Sequence, residues 1–188
     1  FKEQFQSEAT ISLKKNTTQL KEVVVFPKKY KTKVVGNTTD TRKIQAGFAS
    51  NDLGSEVGTL MKVKKKKISF IEKVNFNISS NVHDSVRFRI NIYSMKNGMP
   101  SKTILKEPIY VVSKTRSGTL SVDLRKYNLY VTDDFLVSLE WLKDLGKKGL
   151  FFSTGFLNSP SYARKTSQGK WEKLPVGLGF NTTVTYEK

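Results

Sequence analysis

From Val57 onward, apolar and polar residues alternate with a period of two, in runs separated by roughly 10 to 15 residues. In Val74-Asn75-Phe76-Asn77-Ile78 the apolar side chains alternate with amides. In Val86-Arg87-Phe88-Arg89-Ile90-Asn91-Ile92 four apolar residues face one way and Arg87, Arg89 and Asn91 the other, which predicts one core face and one wet face. Leu120–Leu124, Phe135–Trp141 and Leu178–Tyr186 continue the pattern, with Trp141 on the inward side of its run. Asn97-Gly98, Ser117-Gly118, Gly146 and Gln168-Gly169 fall between runs, where tight turns need permissive backbone. No stretch carries helical spacing long enough for a major helix; Trp141–Leu145 reads as a strand end and a turn. Eight or more strands over about 130 residues predict an all-β fold, a two-sheet antiparallel β-sandwich with jelly-roll topology.

Upstream, Ala9–Leu13 and Leu20–Phe26 are short β-branched runs, too short to close a core alone. Residues 27–56 are polar and hold the turn signals Val35-Gly36-Asn37 and Asn51-Asp52-Leu53-Gly54. The expected organisation is therefore residues 1–30 as terminal strands of a preceding sandwich or an arm, 31–56 as a linker or loop, and 57–188 as the jelly roll.

The strand Leu20-Lys21-Glu22-Val23-Val24-Val25 resembles the closing strand of the carboxypeptidase-regulatory-like β-sandwich that opens many Bacteroidetes-type outer-membrane and TonB-linked proteins. No receptor plug follows it. The later segments Phe88–Tyr93, Asn97-Gly98-Met99-Pro100, Val122–Leu124 and Phe135–Trp141 resemble a jelly-roll appendage of secreted or surface proteins from the same bacterial group. The resemblance implies an extracytoplasmic setting: periplasm, outer membrane or cell surface. It implies no catalytic residue, since the regulatory-like module is itself non-catalytic.

Composition narrows the chemistry. The 188-residue chain has no Cys and one His, His83, so disulfide frameworks, thiol nucleophiles and His-cluster metal sites are excluded. No apolar run approaches the roughly 18 residues of a membrane helix. The chain opens at Phe1 without Met or a signal-peptide pattern, as expected of a mature fragment of a longer envelope protein. Its formal charge of +17 is divided evenly, with 16 cations against 7 acids in residues 1–75 and 17 against 9 in 76–188. Lysine supplies 27 of the 33 cations, whereas arginine gives the bidentate grip used in specific phosphate recognition. Nucleic acid is thus not the expected partner. The one dense cluster, Lys62, Lys64, Lys65, Lys66 and Lys67, reads either as a polyanion or surface-adhesion patch or as an edge-protecting lysine strand.

Carboxylate hydrolysis needs two carboxyls facing one cleft about 5–10 Å apart. Asp123, Asp133, Asp134 and Glu140 are the candidates, and no motif pairs them. His83 lies in the polar connection Ser80–Ser85 and reads as a solvated loop residue rather than a base. No cofactor is expected; a structural calcium, the one metal left open, would draw on the loop acids Asp52, Glu56, Asp84, Asp133 and Asp134, although none shows EF-hand spacing. Aromatics in polar, turn-rich segments are the stronger signal, because flat rings stack on sugar faces while nearby donors hold hydroxyls. Tyr162 and Trp171, with Phe156 nearby and Arg164, Lys165 and Gln168 as donors to hydroxyls or uronates, form the expected ligand site. The competing reading has Trp171 closing the core. The expectation is a non-catalytic envelope module that binds a glycan or another envelope protein, with no transmembrane segment in this chain.

Overall fold

The computed structural model describes residues 28–48, 52–64, 66–143, 149–156 and 159–188. These residues build a two-sheet antiparallel β-sandwich. The eight-stranded sheet runs β1 (Tyr30–Gly36), β15 (Phe180–Glu187), β4 (Ser69–Asn81), β11 (Leu150–Gly155), β14 (Gly177–Leu178), with β2 (Gln45–Gly47) on β11 and with β8 (Gly118–Asp123) and β9 (Tyr130–Val131) on β4. The seven-stranded sheet runs β13 (Glu172–Lys173), β12 (Ser161–Arg164), β3 (Glu56–Met61), β10 (Phe135–Trp141), β5 (Val86–Lys96), β6 (Met99–Thr103), with β7 (Ile109–Ser113) on β5. From β3 onward the chain changes sheet at most connections, the wrapping of a jelly roll.

The alternating runs named above fall on strands, Leu178–Tyr186 being divided at Gly179 between β14 and β15, because one set of their side chains fills the space between the sheets. Phe180 sits centrally there, edge-on to Phe76 and Phe152 with ring centroids 4.8 Å away in each case. Trp141 is core as expected and packs on Phe88 at 5.5 Å. Asn97 and Gly98 form a two-residue hairpin turn between Lys96 and Met99, both with positive φ (52° and 75°), as a type I′ turn requires.

Three expectations need correction. Segment 31–56 is not a linker: it supplies nearly all of β1, all of β2 and the first residue of β3. Its β1 pairs along its whole length with β15, but it is an edge strand whose lysines face solvent, so it lacks the apolar alternation that marks inner strands. The sandwich thus begins by Tyr30, while the expected arm up to residue 27 and the Gly146 turn lie outside the described residues. The lysine cluster is not an edge strand either; Lys62, Lys64, Lys66 and Lys67 sit in the β3–β4 connection, and Lys65 lies outside the described residues. His83 is buried rather than solvated, with its ring 6.0 Å from Trp141.

Candidate functional site

The outer face of the seven-stranded sheet was expected to be wet along β5. Arg87 is exposed there, but Asn91 and Tyr93 are buried and Arg89 is half-buried. The cause is strand register. It aligns Arg164 (β12), Glu56 (β3), Glu140 (β10) and Arg89 (β5) in one row across four strands. The next row is Tyr162, Gly58, Ser138 and Asn91, and the one beyond it contains Leu60, Leu136 and Tyr93. Two carboxylates directly opposite one another repel, so Glu56 and Glu140 coexist only because the donors around them outweigh that repulsion.

Arg164 donates to Glu56 Oε2 from Nε at 2.7 Å, and its Nη2 lies 2.5 Å from the same oxygen in an ion pair. Arg89 grips Glu140 Oε2 in the same way, at 2.9 and 2.6 Å. Asn91 Nδ2 bridges the two acids, donating to Glu56 Oε1 at 2.9 Å and to Glu140 Oε2 at 2.8 Å. Because both partners are acceptors, the amide nitrogen must face them. Ser138 donates to Glu56 Oε1 and Ser167 to Glu140 Oε1, each at 2.5 Å. Gly58 leaves the row its room: a Cβ there would stand 2.7 Å from both the Ser138 Cβ and the Val137 carbonyl oxygen.

Burial opposes ionisation of Glu140, yet the hydrogen bonds from Ser167, Asn91 and Arg89 outweigh it and hold the carboxyl below its ordinary value of 4.5. A depressed folded-state value means that this stabilisation is complete above pH 4.5 and is lost as pH falls through the folded-state value. Glu140→Gln should therefore flatten the acid limb of the stability profile, measured by urea unfolding at stepped pH. An unchanged acid limb would show that other groups carry it.

Above the row, the Arg164 guanidinium lies 4.7 Å from the Trp171 ring centroid and 5.5 Å from that of Tyr93, and its Nη2 donates to the Tyr93 hydroxyl at 2.9 Å. Burial, then the neighbouring Glu56 carboxylate, pushes the Tyr93 phenol up. These groups floor a cleft of about 650 Å³. Ser167 and Gln168 also line it, as do Pro100, Leu105 and Pro108 with the polar Ser101, Thr103, Lys106 and Glu107 among them. The arrangement offers oriented N–H donors beside apolar carbon, at a floor whose charge is already balanced.

No family model and no curated protein matches the chain. Among solved structures, it is similar to the cysteine protease and lectin-like domains of Cwp84, a surface layer associated protein of Clostridium difficile, with a TM-score of 0.48 and 11% identity. The match covers 69% of this chain and 32% of that one, about a third of its length. Among the described residues, no helix is long and apolar enough to cross a membrane.

The expected ligand residues separate. Arg164, Gln168 and Trp171 border the cleft; Lys165 is exposed and does not line it. Tyr162 is buried and its hydroxyl donates to the Gly98 carbonyl at 2.9 Å, tying β12 to the β5–β6 turn. Phe156 lines a different cleft with Pro160 and Pro175. Trp171 belongs to a small apolar cluster on the outer face with Leu60, Tyr93, Leu136 and Tyr162, and so does not close the main core. The sequence reading missed Arg89, Asn91 and Ser167 and placed Glu56 only among loop acids that could hold calcium. Arg89 and Asn91 carried a usable signal, since alternation already put them on one face with Glu140.

The candidate carboxylates do not converge. Asp123 is exposed on the eight-stranded sheet, where hydrogen bonds from the Arg125 side chain hold it at about 2. Asp133 and Asp134 lie in the β9–β10 connection, and Asp134 accepts the Val63 backbone N–H at 3.0 Å. As for calcium, Glu56 is taken by Arg164 and Asp84 by Arg116 at 2.6 Å, and among the described residues no three acids or histidines cluster to hold a metal ion.

Proposed function

We propose that the chain is a non-catalytic, extracytoplasmic binding module that holds a neutral, hydroxyl-rich glycan in the cleft over the seven-stranded sheet. One observation carries the reading: two guanidiniums, each neutralised by a buried carboxylate, line one cleft with Asn91 and Trp171, beside both polar side chains and the carbon of Pro100, Leu105 and Pro108. Fixed donors hold hydroxyls without paying ordering entropy on binding. Prolines and Leu105 offer carbon to the apolar faces of sugar rings.

Charge decides between neutral and acidic sugars. Arg89, Arg164 and Lys106 stand against Glu56, Glu140 and Glu107, so the cleft presents no net positive field to a uronate. Acid–base catalysis needs a carboxyl that can exchange a proton with the substrate. Glu56 and Glu140 are instead buried and held by donors, which supports a binding role. The envelope setting is supported by the sequence resemblance of Leu20–Val25 and of the sandwich segments.

Calorimetric titration with neutral and acidic oligosaccharides tests the reading. A neutral oligosaccharide should bind and be recovered uncleaved, and Gln168→Ala should weaken it about five- to tenfold, the loss of one hydrogen bond. Lys165→Ala should leave it unchanged. Failure of every neutral sugar to bind, cleavage of the bound sugar, or equal loss in both variants would reject the reading.

A further inference from the structure

A second cleft, independent of the first, lies at one end of the eight-stranded sheet. Register aligns Tyr130, Phe70, Thr185 and Thr32 across β9, β4, β15 and β1, and pairs Glu187 with Tyr30 two residues further on. The Phe70 and Tyr130 rings are 5.1 Å apart with their planes tilted by 40°. The β3–β4 connection brings Lys66, Lys67 and Ile68 to the same place, and Lys28 and Lys188 contribute from the chain segments flanking β1 and β15. Together they border a groove of about 770 Å³.

Two properties set this groove apart from ordinary solvated surface. Three large side chains are left open to water: Tyr30 is 61%, Ile68 65% and Tyr130 59% exposed. The three border one groove rather than lying scattered singly over the surface, where they would need no explanation. Charge is also one-sided. Lys28 is paired with Glu187 at 2.9 Å, but among the described residues no carboxylate pairs with Lys66, Lys67 or Lys188. Lys66 is held at φ 64° in a turn closed by the Lys67 N–H on the Lys64 carbonyl, a conformation non-glycine residues rarely adopt. That turn sets Lys66 and Lys67 at the groove.

We propose that this groove binds an acidic polysaccharide, a chain of sugar rings carrying carboxylate or sulfate groups. Exposed tyrosine rings meet pyranose faces, and lysines act as point charges toward single anionic groups. Ile68 and Tyr130 also border a neighbouring cleft of about 440 Å³ that is lined by Asp133 and Asp134. An anionic chain is repelled from that side and kept on the lysine side. Nucleic acid is disfavoured because the groove holds no arginine for bidentate phosphate contacts. A lipid surface is disfavoured because these rings line a depression, whereas membrane insertion calls for a protruding apolar face.

The probe is an oligogalacturonate, titrated against the intact chain beside a single-stranded oligothymidylate and phosphatidylserine-containing vesicles. Oligogalacturonate should bind most tightly of the three, and its affinity should fall as salt is raised. Exchanging both Lys66 and Lys67 for Gln should weaken it about tenfold, and Tyr130→Ala about fivefold. All three residues are solvent-facing or partly so, and these variants should fold normally. Exchanging Lys62 and Lys64 for Gln, or Gln168 for Ala, should change nothing, which keeps this groove separable from the glycan cleft. Absence of oligogalacturonate binding overturns the proposal. So does tighter binding of the oligonucleotide or vesicles, unchanged affinity in the groove variants, or an equal loss in the Lys62 and Lys64 variant.

Discussion

Arg164→Met is expected to lower the unfolding free energy by about 3–5 kcal/mol, because it leaves the Glu56 carboxylate buried without its counter-charge. Glu56 is 0% exposed and the Arg164 side chain 9%, so water cannot replace the lost guanidinium. Asn91 and Ser138 still donate to Glu56 Oε1, but Oε2 loses the Arg164 Nε hydrogen bond and the ion pair and keeps the long Tyr93 hydroxyl contact at 3.4 Å. In a chain of this size the loss corresponds to a fall in melting temperature of about 10 °C. Adding Glu56→Leu to the variant should restore much of the stability, since replacing a buried ion pair with apolar groups is often neutral or better. Thermal and urea unfolding of both proteins measure this. A loss under about 1 kcal/mol in the single variant would mean that the pair contributes only what an exposed one would.

Phe180→Ala should cost a similar amount, about 3–5 kcal/mol, through a cavity in the main core rather than through charge. Phe180 touches Phe76 and Phe152 edge-on from one central position, so truncation strips contacts from both neighbours. All three strands that carry these rings belong to the same sheet, which limits how far the backbone can collapse into the gap. Phe180→Leu should cost clearly less, because it keeps most of the volume. Equal losses for Ala and Leu would point to ring geometry rather than volume.

The sandwich was legible because its inner strands advertise themselves: Val86–Ile92 alternates without interruption, Phe135–Trp141 does so apart from Leu136, and Asn97-Gly98 marks its hairpin. Strand β1 was not legible, since an edge strand with lysines toward water resembles a polar loop. The cleft was half legible. Arg164, Gln168 and Trp171 were read from their turn-rich segment, but Tyr162, in the same segment, turns to the β5–β6 hairpin. Glu56 read as a loop acid because its meaning depends on Arg164, 108 residues away, and composition does not encode pairing register. The sequence left hydroxyls and uronates both open as ligands of these donors, because nothing local shows that Arg89 and Arg164 each face a buried carboxylate.

The row of Arg164, Glu56, Glu140 and Arg89 also acts as an alignment key. A one-residue slip of β3 would turn Val57 outward, push Glu56 toward the apolar interior and separate it from Arg164, while leaving Glu140 beside an altered neighbour. A slip of β5 would part Arg89 and Asn91 from the acids together. Misaligned pairings are therefore penalised by stranded charge in addition to lost apolar packing. The atoms that floor the cleft are the atoms that hold the strands in step, so changes in ligand preference at this floor will be constrained by folding fidelity, and diversification is freer at Gln168 and the prolines.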